Sequence, residues 1–113
     1  MSLLGRLLGG KVSEVDATEA KRRQDAGALV VDVRRPDEWS EGHVAGAIHI
    51  PLDQLAARLH ELPADRELLF VCRGGNRSLT AARQAQHAGH TEVASVAGGT
   101  MAWQRQGLPI QRD

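Results

Sequence analysis

Three short runs of apolar residues, each followed by a glycine- or proline-bearing turn and then a helical stretch, restrict this chain most. The runs are Ala28 to Val33, Leu68 to Cys72 and Val93 to Val96. A strand with one wet face alternates apolar and polar residues, whereas a nearly continuous apolar run is buried on both faces. Doubly buried strands alternating with helices form a parallel sheet with helices above and below. The expected architecture is a single three-layer α/β/α domain.

The intervening segments carry helix signals. Asp16, with Glu19 three residues on, resembles a capping box opening a helix over Thr18 to Asp25, and Gly27 ends it. Arg34-Arg35-Pro36-Asp37 turns the chain into a short helix over Glu38 to Glu41. Gly42 to Ala47 is too rich in glycine for regular structure, and Ile48 to Ile50 reads as a brief strand ended by Pro51. Leucines at helical spacing predict a helix from Asp53 to His60, which Pro63 stops. Ser78 to Ala88, ended by Gly89, and Thr100 to Gln106, ended by Gly107, complete the set.

The length of 113 residues fits one domain, here expected over residues 12–113 after a short lead-in over residues 1–11. Hydrophobic residues make up 42%, with one Phe, two Trp and no Tyr, so the core must be aliphatic. Lys plus Arg and Asp plus Glu both number 14. Zero formal charge argues against a broad footprint for nucleic acid or an anionic membrane. Leu3, Leu4, Leu7 and Leu8 would share one face of a short helix, either a loosely ordered lead-in docked on the domain or a partner or membrane anchor. That stretch is too short to span a bilayer and lacks a signal-peptide pattern, so stable membrane insertion is not expected. The single cysteine excludes an intrachain disulfide and a multi-thiolate metal site, and fits a reducing, cytoplasmic setting.

That cysteine ends one of the buried-strand runs. Ligands of open parallel sheets bind beyond the carboxyl ends of the strands. The loop Cys72-Arg73-Gly74-Gly75-Asn76-Arg77-Ser78 follows, with a helix beginning at about Arg77 or Ser78. Gly74 and Gly75 permit tight turns that expose N–H groups. A helix N-terminus and the cations Arg73 and Arg77 are the known means of lowering a cysteine pKa. An inert buried cysteine would explain the strand end but not the loop, so Cys72 is read as a nucleophile. Cysteine phosphatases place five residues between cysteine and arginine; here there are four. The shorter loop makes a narrower cradle, suited to one sulfur atom rather than a tetrahedral phosphate.

Four segments together resemble the rhodanese (thiosulfate sulfurtransferase) homology domain in its single-domain form. They are Val31-Asp32-Val33-Arg34 with Glu38-Trp39; Gly42 to Ala47 with Ile50-Pro51; the Cys72 to Ser78 loop; and Gly98-Gly99 through Trp103 to Ile110. The resemblance covers about residues 12 to 110. It implies a five-stranded parallel sheet flanked by helices and a two-step sulfurtransferase reaction. Cys72 would take sulfane sulfur from thiosulfate or a persulfide donor and pass it to cyanide, a small thiol or a protein acceptor. It implies no metal and no organic cofactor. Arg73 matches a substrate-binding basic position. Gly74, Gly75 and Asn76 belong to the anion-cradling backbone, and Arg77 and Ser78 shape the loop and start the helix.

Asp32 and Arg34 end a neighbouring strand and either line the same mouth or form an ion pair that locks loops together. His43 is read as structural, because exchange by a preformed thiolate needs no general base. His49, His60, His87 and His90 form no metal-ligand pattern and are expected to be solvated. Trp39 and Trp103 are expected to pack and rim the site.

Overall fold

The computed structural model describes residues 11–112. The lead-in leucines lie outside the described residues. Five strands form one sheet: β1 (Ser13–Val15), β2 (Leu29–Asp32), β4 (Ile48–His49), β5 (Leu68–Val71) and β6 (Val93–Val96). Their order is β1-β6-β5-β2-β4, and every pairing is parallel. The five-stranded parallel sheet agrees with the expected fold class. Between the strands run α1 (Ala17–Asp25), α2 (Pro36–Ser40), α3 (Leu52–Arg58), α4 (Asn76–His87) and α5 (Gly99–Arg105).

Alternate strand residues face opposite sides, and each side has its own core. On one side Val31, Leu68, Phe70 and Cys72 meet Leu55 of α3 and Ala81, Ala82 and Ala85 of α4. On the other, Val30, Leu69, Val71 and Val96 meet Ala17 and Ala20 of α1 and Trp103 of α5. The alanine stripes let the helices approach the sheet closely. Truncating the fully buried Leu55 to alanine would leave a cavity and cost about 2–5 kcal/mol. Trp103 adds a hydrogen bond from its ring N–H to the carbonyl of Pro109 at 2.8 Å.

Asp16 caps α1 as its sequence predicts, accepting from the Glu19 N–H at 2.8 Å. Two expectations need correction. Gly42 to Ala47 contains a short strand, β3 (His43–Val44), which pairs antiparallel with β7 (Ile110–Gln111). Its partner is distant in sequence, so local glycine content could not reveal it. Helix α4 starts at Asn76 rather than Ser78, because Gly75 occupies the cap with φ +111° and turns the chain at once. The strand β1, absent from the sequence reading, pairs Val15 with Val96 at the sheet edge. Among the described residues no helix is long and apolar enough to cross a membrane.

Candidate active site

The central strand β5 delivers Cys72 to the carboxyl end of the sheet, one residue beyond the Asp32–Val71 register pair. The residue is 1% exposed, so its sulfur is a floor and not a rim. Arg73, Gly74 and Asn76 are exposed above it, while Gly75 and Ser78 are buried around it.

The sulfur is surrounded by donors. The N–H groups of Gly75 and Ser78 point at Sγ from 3.1 Å and 3.3 Å, and Ser78 Oγ lies 3.4 Å away. Ser78 Oγ is in turn 2.7 Å from Ser95 Oγ on β6. Burial pushes the Cys72 thiol up. Hydrogen bonds from the Ser78 hydroxyl and from the N–H groups of Ser78, Gly75 and Gly74 more than offset it, leaving the thiol below its ordinary range. The N-terminal end of the 12-residue α4 adds positive potential at the same place. The surrounding N–H groups and hydroxyl thus favour the thiolate form of the sulfur over what burial alone would allow.

The loop is held from behind by α5. The N–H of Thr100 donates to the Cys72 carbonyl at 2.8 Å and that of Met101 to the Arg73 carbonyl at 3.2 Å. These bonds use helix N-terminal donors that have no partner within their own helix. They require Gly99 to lie against the loop: a Cβ there would sit 2.2 Å from the Cys72 carbonyl oxygen.

The two loop arginines differ. Arg77 is held by Glu38 of α2 at 2.7 Å and 3.0 Å. The Arg77 guanidinium, with the Arg35 N–H bond in support, lowers the Glu38 carboxyl to about 2. Arg73 makes no side-chain hydrogen bond or ion pair among the described residues. With Arg34, Glu38, Thr100 and Arg112 it lines a polar crevice of about 300 Å³.

Asp32 and Arg34 form a buried ion pair beside the loop. Arg34 Nε lies 3.0 Å from both Asp32 oxygens, and its Nη2 reaches the Gly42 carbonyl at 2.8 Å. The Asp32 carboxylate is spent on this lock and is 0% exposed; Arg34 reaches the crevice wall. His49 is half-buried and bonded to the protein, where it is expected to be freely solvated. Its ring stacks on Trp39 at 4.7 Å and its Nε2 lies 2.8 Å from the Arg34 carbonyl oxygen. Trp39 also stacks on His43 at 3.5 Å, so two histidines brace the tryptophan that follows Glu38. Sequence reasoning assigns neither Ser95 nor Gly99 to the site, although Gly99 lies in a segment that carries the family resemblance. The signals were present: one polar residue in a buried strand, and a paired glycine.

Fold and loop together define an α/β domain with a cysteine-centred anion cradle at its central strand. Comparison with known proteins narrows this class. The sequence signature of the Rhodanese-like domain matches residues 16–106, and the chain belongs to that family. It is 35% identical over 101 residues to a sulfurtransferase of Allochromatium vinosum, covering 88% of this chain and 94% of that one. It is also 35% identical over 111 residues to the chloroplastic thiosulfate sulfurtransferase 16 of Arabidopsis thaliana, covering 88% and 92%. Among solved structures, a rhodanese-related protein of Thermoplasma volcanium superposes with TM-score 0.83 at 29% identity, covering 89% and 99%. Transferase relatives of nearly the same length support a sulfurtransferase type for this chain.

Proposed function

We propose that this protein moves sulfane sulfur through a persulfide on Cys72. The observation that carries the reading is the convergence of the Gly75 and Ser78 N–H groups and the Ser78 hydroxyl on one buried sulfur. The thiolate attacks the outer sulfur of thiosulfate, or of a persulfide donor. A new S–S bond forms, the old one breaks, and its electron pair leaves on sulfite or on the donor thiolate. The Cys72 persulfide bears the negative charge, which the N–H ring stabilises. Cyanide, a small thiolate or a protein thiolate then attacks the outer sulfur, and the electron pair returns to Cys72.

Arg73 is the cation proposed to steer the incoming anion, with the backbone of Gly74, Gly75 and Asn76 as its cradle. Arg77 and Ser78 hold the loop, and Asp32 with Arg34 locks the adjacent strand end. With no other cysteine in the chain, the persulfide has no internal thiol to resolve it, so the acceptor comes from outside. A reducing, cytoplasmic compartment suits a chemistry that needs a free thiolate.

Thiocyanate formation from thiosulfate and cyanide tests the proposal directly, with mass spectrometry reading the addition of one sulfur atom to the protein. Sulfur loading that vanishes in Cys72→Ser supports it. A folded wild-type protein that loads no sulfur from thiosulfate or from a small persulfide would refute it.

A further inference from the structure

Ser95 is an odd residue for its place. It is 0% exposed on β6, whose other residues are Val93, Ala94 and Val96, and alanine would fit there without burying a hydroxyl. Its Oγ lies 2.7 Å from Ser78 Oγ, and Ser78 Oγ lies 3.4 Å from Cys72 Sγ. Among the described residues neither hydroxyl has any other hydrogen-bond partner.

Two buried hydroxyl hydrogens must therefore be placed among three atoms. If Ser78 donates to Ser95, the Ser95 hydrogen is left buried with no acceptor. If Ser95 donates to Ser78, the Ser78 hydrogen goes to sulfur and both are used. With the sulfur as a thiolate, only the second arrangement leaves nothing unpaired.

We propose that Ser95 is a positioning residue: it fixes the direction of a Ser95–Ser78–Cys72 chain and so commits the Ser78 hydroxyl to donate to the sulfur. A sulfur that receives this hydrogen is favoured as thiolate. With the Ser78 hydrogen pointing at the sulfur, the same line is closed to a thiol hydrogen pointing back at Ser78. Ser95 also polarises the Ser78 hydroxyl and strengthens its bond to the anion. The inference rests on Cys72 as the sulfur-carrying nucleophile.

The charged groups around the sulfur do not duplicate this role. Arg77 is held by Glu38, and Asp32 on β2 is held by Arg34. Arg73 follows Cys72 in the chain with its side chain exposed. β6 carries no titratable residue, and the buried face of α4 offers only Ser78 and alanines. The first turn of α5 supplies backbone N–H groups to the loop carbonyls and no ionisable side chain.

The test is the pH profile of Cys72 alkylation by iodoacetamide in Ser95→Ala, Ser78→Ala and the double variant, with a thermal melt of each. Ser95→Ala should raise the midpoint by roughly half to one pH unit, slowing alkylation about three- to tenfold below it. Ser78→Ala should raise it at least as far. The double variant should match Ser78→Ala alone, because Ser95 acts only through Ser78. A folded Ser95→Ala protein with the wild-type midpoint overturns the proposal, as does a double variant whose shift equals the sum of the singles. Alkylation needs no sulfur transfer. A protein that moves no sulfur but shows these shifts would therefore refute the transferase reading and leave the hydroxyl chain standing.

Discussion

Glu38 and Arg77 form a two-pronged ion pair, with Nη1 2.7 Å from Oε1 and Nη2 3.0 Å from Oε2. The pair joins α2 to the first turn of α4 across 39 residues of chain. Its consequence for the site is a division of labour between the loop arginines. Arg77 carries a charge already matched by a carboxylate, and Arg73 carries one that no carboxylate among the described residues matches. Under the proposed function, Arg73 is the cation that an incoming anion would meet.

Replacing Arg73 by alanine should therefore raise KM for thiosulfate about tenfold, an effect of about 1.4 kcal/mol, with a smaller change in kcat. Stability should move by no more than about 0.5 kcal/mol, since Arg73 is exposed and its side chain makes no hydrogen bond or ion pair among the described residues. Steady-state kinetics with varied thiosulfate and a thermal melt check both. An unchanged KM would remove Arg73 from the binding of the donor.

The same ion pair predicts an acid-sensitive component of stability. Glu38 lies at about 2 in the folded protein against an ordinary value of 4.5, chiefly through the Arg77 guanidinium. Between those values the unfolded chain binds the extra proton, so stability rises with pH through that window. The contribution is complete above about pH 4.5 and is lost as pH falls toward 2. It should be on the order of 1–2 kcal/mol after screening at the half-exposed Arg77. Denaturant titrations at pH 6, 4.5 and 3 should show a shallower decline in Glu38→Gln than in wild type, and parallel declines would contradict the assignment.

Cys72 should react as a thiolate where a free thiol does not. Hydrogen bonds from Ser78, Gly75 and Gly74 outweigh the burial that raises it, placing the group below its ordinary 9.0. A depressed acid contributes stability above its unfolded value and loses it as pH falls through the folded one. Iodoacetamide labelling should accordingly persist to lower pH than labelling of a small-molecule thiol in the same buffer. Identical profiles would mean that the donors around the sulfur do not stabilise its anion.

Much of this was legible in the chain because it is written locally. The apolar runs at Val30-Val31, Leu68 to Val71 and Val93 to Val96 are doubly buried strands, and the cysteine loop sits where a strand hands over to a helix. Pairings between distant segments were not legible. β3 exists only because Ile110 and Gln111 return to His43 and Val44, and two-residue strands carry no periodicity to read. The surroundings of His49 are illegible for the same reason, since its partners Trp39 and the Arg34 carbonyl are 10 and 15 residues away in the chain. Ser95 contacts the site only because β6 lies beside β5, a neighbour relation set by topology.

Gly99 gives the sharpest test of the loop's support. Its φ is +58°, and a Cβ would lie 2.2 Å from the Cys72 carbonyl oxygen and 2.4 Å from that of Arg73. Neither atom belongs to a flexible side chain, so relief requires moving the loop itself. The Thr100 and Met101 N–H bonds to those carbonyls would stretch, and the Gly75 and Ser78 donors would turn away from the sulfur. Gly99→Ala should cost about 3 kcal/mol or more, lower Tm by at least about 10 °C, and reduce sulfur loading more steeply than it reduces the folded fraction. Gly89→Ala is the matched control. It has φ +105° with no atom within 4 Å of the added Cβ, so backbone strain alone should cost about 1–2 kcal/mol and leave loading intact. Equal losses in the two variants, in Tm and in loading alike, would show that the close approach of α5 to the cysteine loop has no part in holding the cradle.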